Sequence, residues 1–446
     1  MQNSAKFFKN TDCSYFPCHK GLDEDEFNCL FCYCPLYAKN PCPGNPTYIK
    51  KDDGRVIKRC TDCTFPHKPE NYEKIMNILR IKKSAVSAEE YHHGGECNLE
   101  EASLGANYLG RFCLDFSVNT NPLGMPENVK SAIKNSIDLC EKYPDQNCIR
   151  LKNKIAESKS LNPEQIICGN GASELISLAV NAINPRNALI IAPTFSGYER
   201  ALKICDCRVH YHFLKEEQNF DLDETVFDTI KRAAPEMIFV CNPNNPTGRM
   251  INPGLFEKLL CECEENGIFL FVDECFIDFT ERASETALRF IENSAHLIVL
   301  NAFTKIFAMA GLRLGYLVSS NLGLLQKINS LRPEWNVSEI AQIAGEAALK
   351  EKDYIQKTRN LIQNERLFLN EKLKALGFKV FNSEANFIFF ENQSDKAPNL
   401  YQSLKEKGIF IRNCDNFIGL KGKFFRIAIK KHEENEKFTE TLREIL

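Results

Sequence analysis

Lys305 stands at the end of an apolar run, HLIVLNAFTK. A lysine held among apolar side chains can lose its proton and attack a carbonyl. A lone lysine is ordinarily a solvated charge, so the rest of the chain decides its meaning. Asp273 closes a second run, GIFLFVD, with Asp278 following in the same stretch. An apolar strand that meets an aspartate delivers one carboxylate to a site. After QIIC comes Gly169-Asn170-Gly171-Ala172-Ser173, a glycine-bearing loop that opens a helix. Backbone N–H groups at a helix amino end suit a phosphate, although many strand–helix turns carry glycine for other reasons. After MIFVC comes Asn242-Pro243-Asn244-Asn245-Pro246-Thr247-Gly248, a rigid turn that exposes amides, and Arg313 follows Lys305 in AGLRLGY.

A different chemistry gathers at the other end of the chain. Of 20 cysteines, eight fall in the first 63 residues: Cys13, Cys18, Cys29, Cys32, Cys34, Cys42, Cys60 and Cys63, with His19 and His67 nearby. Two CxxC pairs, Cys29/Cys32 and Cys60/Cys63, can present four thiolates tetrahedrally, and the remaining four cysteines can build a second site. Thiolates suit zinc and iron–sulfur clusters alike. The segment NPCPGNPTYIKKDDGRVIKRC holds too little apolar content to fold unaided, so metal is expected to hold it together. The other twelve cysteines follow no spacing rule, and such cysteines are usually small buried hydrophobes.

Composition narrows the partners. The chain has 446 residues, 43% hydrophobic and 26% charged, with 56 Lys and Arg against 59 Asp and Glu. It can bury two or three cores, and its net charge of −3 advertises neither nucleic acid nor membrane. The amino terminus, MQNSAKFFKN, lacks an apolar signal core, and no segment approaches the roughly 18 apolar residues of a membrane span. A cytoplasmic protein is expected. Residues 1–83 hold 14 Lys and Arg against 10 Asp and Glu, with the signs mixed. A structural or protein-contacting role therefore fits the cysteine-rich module better than nucleic acid.

The elements that must position these residues are legible too. The segment NYEKIMNILRIKKSAVSAEE predicts a short helix and then a linker, placing a boundary near residue 86 and a cysteine-rich domain with its linker over 1–85. Beyond it, apolar runs alternate with amphipathic segments. This is the α/β pattern of a mostly parallel sheet covered on both faces, in which ligands collect at the carboxyl ends of the strands.

Taken in order, the glycine loop, NNPTG, Asp273 and Thr304-Lys305 with Arg313 resemble the fold-type I family of pyridoxal 5′-phosphate (PLP) enzymes, across residues 90–446. The resemblance implies a large PLP-binding domain over 136–329 and a smaller α/β domain from 86–135 and 330–446. It assigns Lys305 as the Schiff-base lysine and Asp273 as the carboxylate that keeps the pyridine nitrogen protonated. Asn245 would donate to the ring hydroxyl and Phe195 would stack on the ring, while Gly171, Ala172, Ser173, Thr304 and Arg313 would hold the phosphate. Tyr143 of KYPD would reach the phosphate of a neighbouring subunit, which implies a homodimer.

Aminotransferases of this group generally carry a tyrosine three residues after the aspartate, whereas this chain has Phe276. YHHGGE, LDFSVNTNPLGMP, RPEWNVSEIAQIAGEAAL and GIFIRNCDNFIGLKGKFFRIAIK resemble the L-threonine-O-3-phosphate decarboxylases of cobalamin biosynthesis more than the histidinol-phosphate aminotransferases. That branch implies decarboxylation of phosphothreonine or phosphoserine, giving aminopropanol phosphate or ethanolamine phosphate as a cobamide linker. Arg412 and Arg426 match the family's two substrate arginines; His93, Gly94, Gly95, Asn119, Arg332 and Trp335 would complete the pocket. Blander readings exist for some of these: Trp335 as core, Arg332 as a surface charge, the glycines as a turn. Histidinol-phosphate transamination is the alternative activity. A ligand-sensing regulator is a poorer fit, because lysine, aspartate and both arginines are all present.

Overall fold

The computed structural model describes residues 6–19, 21–32, 34–37, 42–51, 56–79, 113–393 and 398–446. His93, Gly94 and Gly95 lie outside them. The chain forms two compact units, Met1–Glu90 and Tyr91–Leu446.

In the first unit an antiparallel hairpin pairs β1 (Thr47–Lys50) with β2 (Val56–Arg59), in the register Thr47↔Arg59 to Lys50↔Val56. Short 3-10 turns and one helix, Tyr72–Leu79, make up the rest of its regular structure among the described residues. Among the described residues its buried apolar side chains include Phe7, Phe27, Leu36, Cys63 and Ile75. A core this small needs a further staple.

Among the described residues the second unit begins with β3 (Leu114–Asp115). It then builds a seven-stranded sheet from β4 (Ile166–Gly169), β5 (Asn187–Ala192), β6 (Arg208–Phe213), β7 (Met237–Cys241), β8 (Phe269–Asp273), β9 (Leu297–Ala302) and β10 (Gly315–Val318). The strand order is β4-β10-β9-β8-β7-β5-β6, and only β10 pairs antiparallel to its neighbours. Alternation explains why the strands read as continuous apolar runs. Ile238, Val240, Leu270 and Val272 join the core on one face, and Met237, Phe239, Cys241 and Phe271 join the core on the other. With both faces covered, polar side chains reach a ligand only where the strands end.

A second sheet, β11 (Lys379–Val380), β12 (Phe387–Glu391), β14 (Arg412–Asn413) and β15 (Phe424–Ala428), is antiparallel in the order β11-β12-β15-β14. Its register sets Arg412 beside Arg426. Just before β14 in the chain, β13 (Ile409–Phe410) pairs parallel with β3, so the segment after residue 112 joins the carboxyl-terminal part of the chain. Helices Lys352–Ala375 and His432–Ile445 pack beside this sheet. No helix of the described residues is long and apolar enough to cross a membrane.

Phe239 lies at the centre of the large sheet, stacked on Tyr198 at 4.9 Å and tilted against Phe271 at 4.9 Å. Phe239→Ala is expected to destabilise the second unit by about 3–5 kcal/mol, read as a lower denaturant midpoint. An unchanged midpoint would mean that this aromatic stack does not hold the sheet.

Candidate active site

The carboxyl ends of β7, β8 and β9 open into a cavity of about 330 Å³. Asp273, the last residue of β8, lines it and is 5% exposed. Tyr198 Oη donates to its Oδ2 at 2.7 Å, and the Cys275 amide donates to its Oδ1 at 3.0 Å. Burial raises its pKa, and those two hydrogen bonds oppose the rise. Both donors favour the carboxylate form over the protonated one. Asp278, the other acid of that stretch, does not line the cavity; it pairs with Lys159 at 3.2 Å. Glu274 is buried behind, held by the hydroxyl of Thr286 and the Ala287 amide, and burial pushes its carboxyl up to about 7.

Lys305 follows β9 in the one-turn helix Phe303–Ile306 and also lines the cavity. Its amine forms no hydrogen bond or ion pair with the described residues. Burial, with the guanidiniums of Arg426 and Arg313 adding to it, brings its pKa down to about 8. A neutral amine is therefore accessible near physiological pH, as a nucleophile or a proton carrier requires.

One end of the cavity is shaped for an anion. Gly171 caps the helix Ala172–Ile183 at φ +83, and a Cβ there would stand 2.6 Å from Arg313 Nη2. Only glycine allows both that backbone and that approach. Arg313 is itself left-handed at φ +56, with Nη1 donating to the Ala310 carbonyl at 3.2 Å. Ala172, Ser173 and Thr304 line the cavity beside it. Helix amino end, hydroxyls and guanidinium together suit a phosphate.

The other lobe supplies two more guanidiniums. Arg426, on β15, donates from Nη1 to Asn245 Oδ1 at 2.5 Å and from Nη2 to the Ser117 carbonyl at 2.5 Å. Its Nε is buried without a partner, and burial lowers its pKa to about 9. Arg412, on β14, lies over the Phe417 ring at 5.1 Å and donates from Nη2 to Asn416 Oδ1 at 2.5 Å. Asn119, 3% exposed on the same cavity, has a buried Oδ1 with no partner. Phe195 and Phe276 are apolar walls, and Phe276 packs edge-on against Phe387 at 5.1 Å. The Asn244 amide ties the NNPTG turn down, accepting from Thr194 Oγ1 at 2.8 Å and donating to Thr247 Oγ1 at 3.0 Å.

Three of the sequence-derived residues lie elsewhere in the single chain. Tyr143 is 80% exposed and its ring sits 4.5 Å from that of Trp335, outside the cavity. Arg332 lines a separate cleft with Lys152 and Cys168, and donates to Asn336 Oδ1 at 3.1 Å. Conversely, Tyr198, Cys241, Cys275, Val118 and Phe417 belong to the site without having stood out in the sequence. For Tyr198 a signal existed: it is three residues after Phe195, at the start of the helix Gly197–Ile204.

The sheet, the strand-end lysine and aspartate and the phosphate cradle define a fold-type I PLP enzyme. Comparison with known proteins agrees. The family Aminotransferase class I and II matches residues 112–442, and the chain belongs to it; the family Cysteine-rich small domain matches residues 4–89. Threonine-phosphate decarboxylase of Salmonella typhimurium is 32% identical over 79% of this chain and 96% of that protein. Histidinol-phosphate aminotransferase of Moorella thermoacetica is 31% identical over 84% of this chain and 95% of that protein. The crystal structure of the histidinol-phosphate aminotransferase from Clostridium acetobutylicum superposes with a TM-score of 0.70 at 36% identity, covering 74% of this chain and 98% of that one.

The donor set fits the family's cofactor: an aromatic wall, an anion cradle that a Cβ at position 171 would obstruct, a buried carboxylate and an unpaired amine. Incubation with PLP followed by borohydride is expected to attach the cofactor at Lys305, with the yield at short times rising as pH passes through about 8. Peptide mass mapping checks this, and attachment elsewhere would displace Lys305 from its role.

Proposed function

We propose that the chain is a PLP-dependent carboxy-lyase acting on an O-phosphorylated hydroxy-amino acid, either L-threonine O-3-phosphate or L-serine O-phosphate. The product would be aminopropanol phosphate or ethanolamine phosphate for the linker of a cobamide nucleotide loop. The carrying observation is the charge of the cavity wall. Lys305, Arg313, Arg412 and Arg426 face a single carboxylate, Asp273. Arg313 belongs to the cofactor cradle, which leaves Arg412 and Arg426 for a further anion.

PLP, when bound, supplies an electron-accepting ring for the pair left on Cα as the carboxylate departs as carbon dioxide. Asp273 would hold the ring nitrogen protonated, and Tyr198 would hold Asp273 in place. Asn245 would meet the ring hydroxyl, and Phe195 would cover the ring face. Arg412 and Arg426 would grip the substrate phosphate, fixing its distant end while leaving the α-carboxylate free to turn out of the ring plane. Asn119, with its unpaired oxygen, would accept from the substrate. The Lys305 amine, its pKa brought to about 8, would take up a proton and deliver it to Cα in place of the lost carboxylate. Phe276 offers no hydroxyl to the ring oxygen, in keeping with decarboxylation over transamination.

Tyr143, exposed beside Trp335, would serve a neighbouring protomer's cofactor phosphate in a homodimer. His93, Gly94 and Gly95 would close the pocket. The eight amino-terminal cysteines would hold zinc or an iron–sulfur cluster as a structural or protein-contacting module. Histidinol-phosphate transamination is the second reading, favoured by the near-equal identity to both kinds of relative.

The deciding assay incubates the PLP-loaded protein with phosphothreonine, with phosphoserine, and with histidinol phosphate plus 2-oxoglutarate. Carbon dioxide from a phospho-amino acid, absent with Lys305→Ala, is the expected result; glutamate without carbon dioxide would establish the aminotransferase instead. The two phospho-amino acids differ by one methyl, worth about 1–3 kcal/mol of discrimination, so their relative rates identify the linker. Arg426→Gln and Arg412→Gln are each expected to lower kcat/KM by roughly 10–100-fold, the value of a charged hydrogen-bond pair to the phosphate, with inorganic phosphate restoring part of the rate on the dephosphorylated amino acid. An unchanged kcat/KM would remove that arginine from the phosphate site.

A further inference from the structure

Cys18 and His19 are adjacent in the chain, and His67 comes from beyond the hairpin, in the 3-10 turn Phe65–His67. The first unit folds so that one ligand atom from each lies within 4.8 Å of the other two. Among the described residues no other three histidine, cysteine or acidic side chains gather so closely.

His67 is the fixed member of the group. It is 1% exposed, and its ring stacks on the buried Phe27 at 4.6 Å. Its Nδ1 is 3.0 Å from the Asn28 carbonyl, and the Asn28 amide donates to the His67 carbonyl at 2.8 Å. Asn28 is itself tied at both ends of its side chain: Oδ1 accepts from the amides of Phe8 and Leu30 at 3.1 Å each, and Nδ2 donates to the Lys6 carbonyl at 3.0 Å. A ring anchored in this way has one orientation. A carbonyl accepts only from a protonated Nδ1, which leaves the lone pair on Nε2, the form in which a histidine binds a metal. That Nε2 forms no hydrogen bond with the described residues.

Cys18 and His19 approach from the opposite side. Phe16 packs edge-on against Phe27 at 5.4 Å, and its amide donates back to the Cys13 carbonyl at 2.9 Å, so the residues that follow are led to the His67 ring. The His19 ring centre is 4.5 Å from that of His67, and His19 Nδ1 is 3.3 Å from Cys18 Sγ. Zinc bonds of about 2.0–2.1 Å to nitrogen and about 2.3 Å to sulfur, at a tetrahedral angle, would set such a pair about 3.6 Å apart. A thiol–imidazole hydrogen bond alone would account for Cys18 and His19. It would not account for a third, anchored imidazole brought beside them with its lone pair unused. Two imidazoles also set this group apart from iron–sulfur clusters, which are held chiefly by thiolates, and suit a borderline ion.

We infer that Cys18, His19 and His67 bind one zinc ion through a thiolate and two imidazoles. Cysteine spacing points to thiols alone, whereas this site takes two of its three ligands from histidine. Three protein ligands leave one tetrahedral position over, and the exposure of Cys18 turns that position to solvent. The ion therefore carries water or another exchangeable donor there, unlike a closed four-thiolate site.

The inference adds histidine ligands to the metal reading of the cysteines given above, and the test keeps the two apart. Full-length, PLP-loaded protein is stripped with a chelator, returned to zinc, freed of excess and analysed for zinc per chain by plasma mass spectrometry, with PLP absorbance reporting an intact second unit. Cys18→Ser/His19→Asn changes only an exposed and a half-buried side chain, and is expected to hold one zinc fewer than the parent. In protein labelled with nitrogen-15 histidine, zinc is expected to shift the Nε2 resonance of His67 in the parent and not in that variant. With cobalt in place of zinc, the red ligand-field bands, clear of the cofactor, are expected to move on addition of free imidazole in the parent alone. Unchanged zinc in Cys18→Ser/His19→Asn would overturn the site and leave metal on the other cysteines standing, whereas no zinc or iron in the parent would overturn both. An unshifted His67 would remove it from the site, and cobalt bands indifferent to imidazole would contradict the open position.

Discussion

Four basic side chains and one carboxylate share a cavity of about 330 Å³, and this imbalance governs the second unit. The buried guanidiniums of Arg412 and Arg426 and the half-buried amine of Lys305 repel one another, so the fold carries an unfavourable charge arrangement that anions would offset. The lowered pKa values, about 8 for Lys305 and about 9 for Arg426, express that cost. Two anionic groups, a cofactor phosphate at one end and a substrate phosphate at the other, would balance it.

The architecture explains how such a wall is built. Asp273 and Lys305 come from the ends of parallel strands buried on both faces, so their backbones are rigid where the side chains emerge. Arg426 comes from a different sheet, and its bond to Asn245 spans 181 residues of chain to fasten that sheet to the NNPTG turn. A ligand held by Arg412 and Arg426 would therefore be positioned by the same contact that joins the two lobes. In the first unit a small apolar core is supplemented by hydrogen bonds from Lys58 and His67 that fasten its turns to one another.

Much of this was legible in the sequence, because each functional residue of the large sheet sits where an apolar run stops. Lys305, Asp273, Asn245 and the glycine loop could be placed on strand ends from local pattern alone. Tyr198 was harder to find, since its hydrogen bond to Asp273 crosses 75 residues and its place three residues after Phe195 is a weak local sign. Arg332 illustrates the reverse: beside Trp335 in sequence, it opens onto another cleft because the helix Leu322–Leu331 ends there and its guanidinium turns to Asn336. The cysteine spacing raises the expectation of metal, yet spacing is blind to the contacts of Lys58 and His67 that fasten the turns of the first unit.

The account stands on which bond to Cα is broken. Reaction of the PLP-loaded protein with L-threonine O-3-phosphate in deuterium oxide, followed by mass and magnetic-resonance analysis of the amine, reads that bond directly. The account predicts an amino-alcohol phosphate that keeps the original Cα hydrogen and gains one deuterium in place of the carboxylate. A product that keeps the carboxylate and has lost the Cα hydrogen would show that the site is built for proton abstraction, and would contradict it.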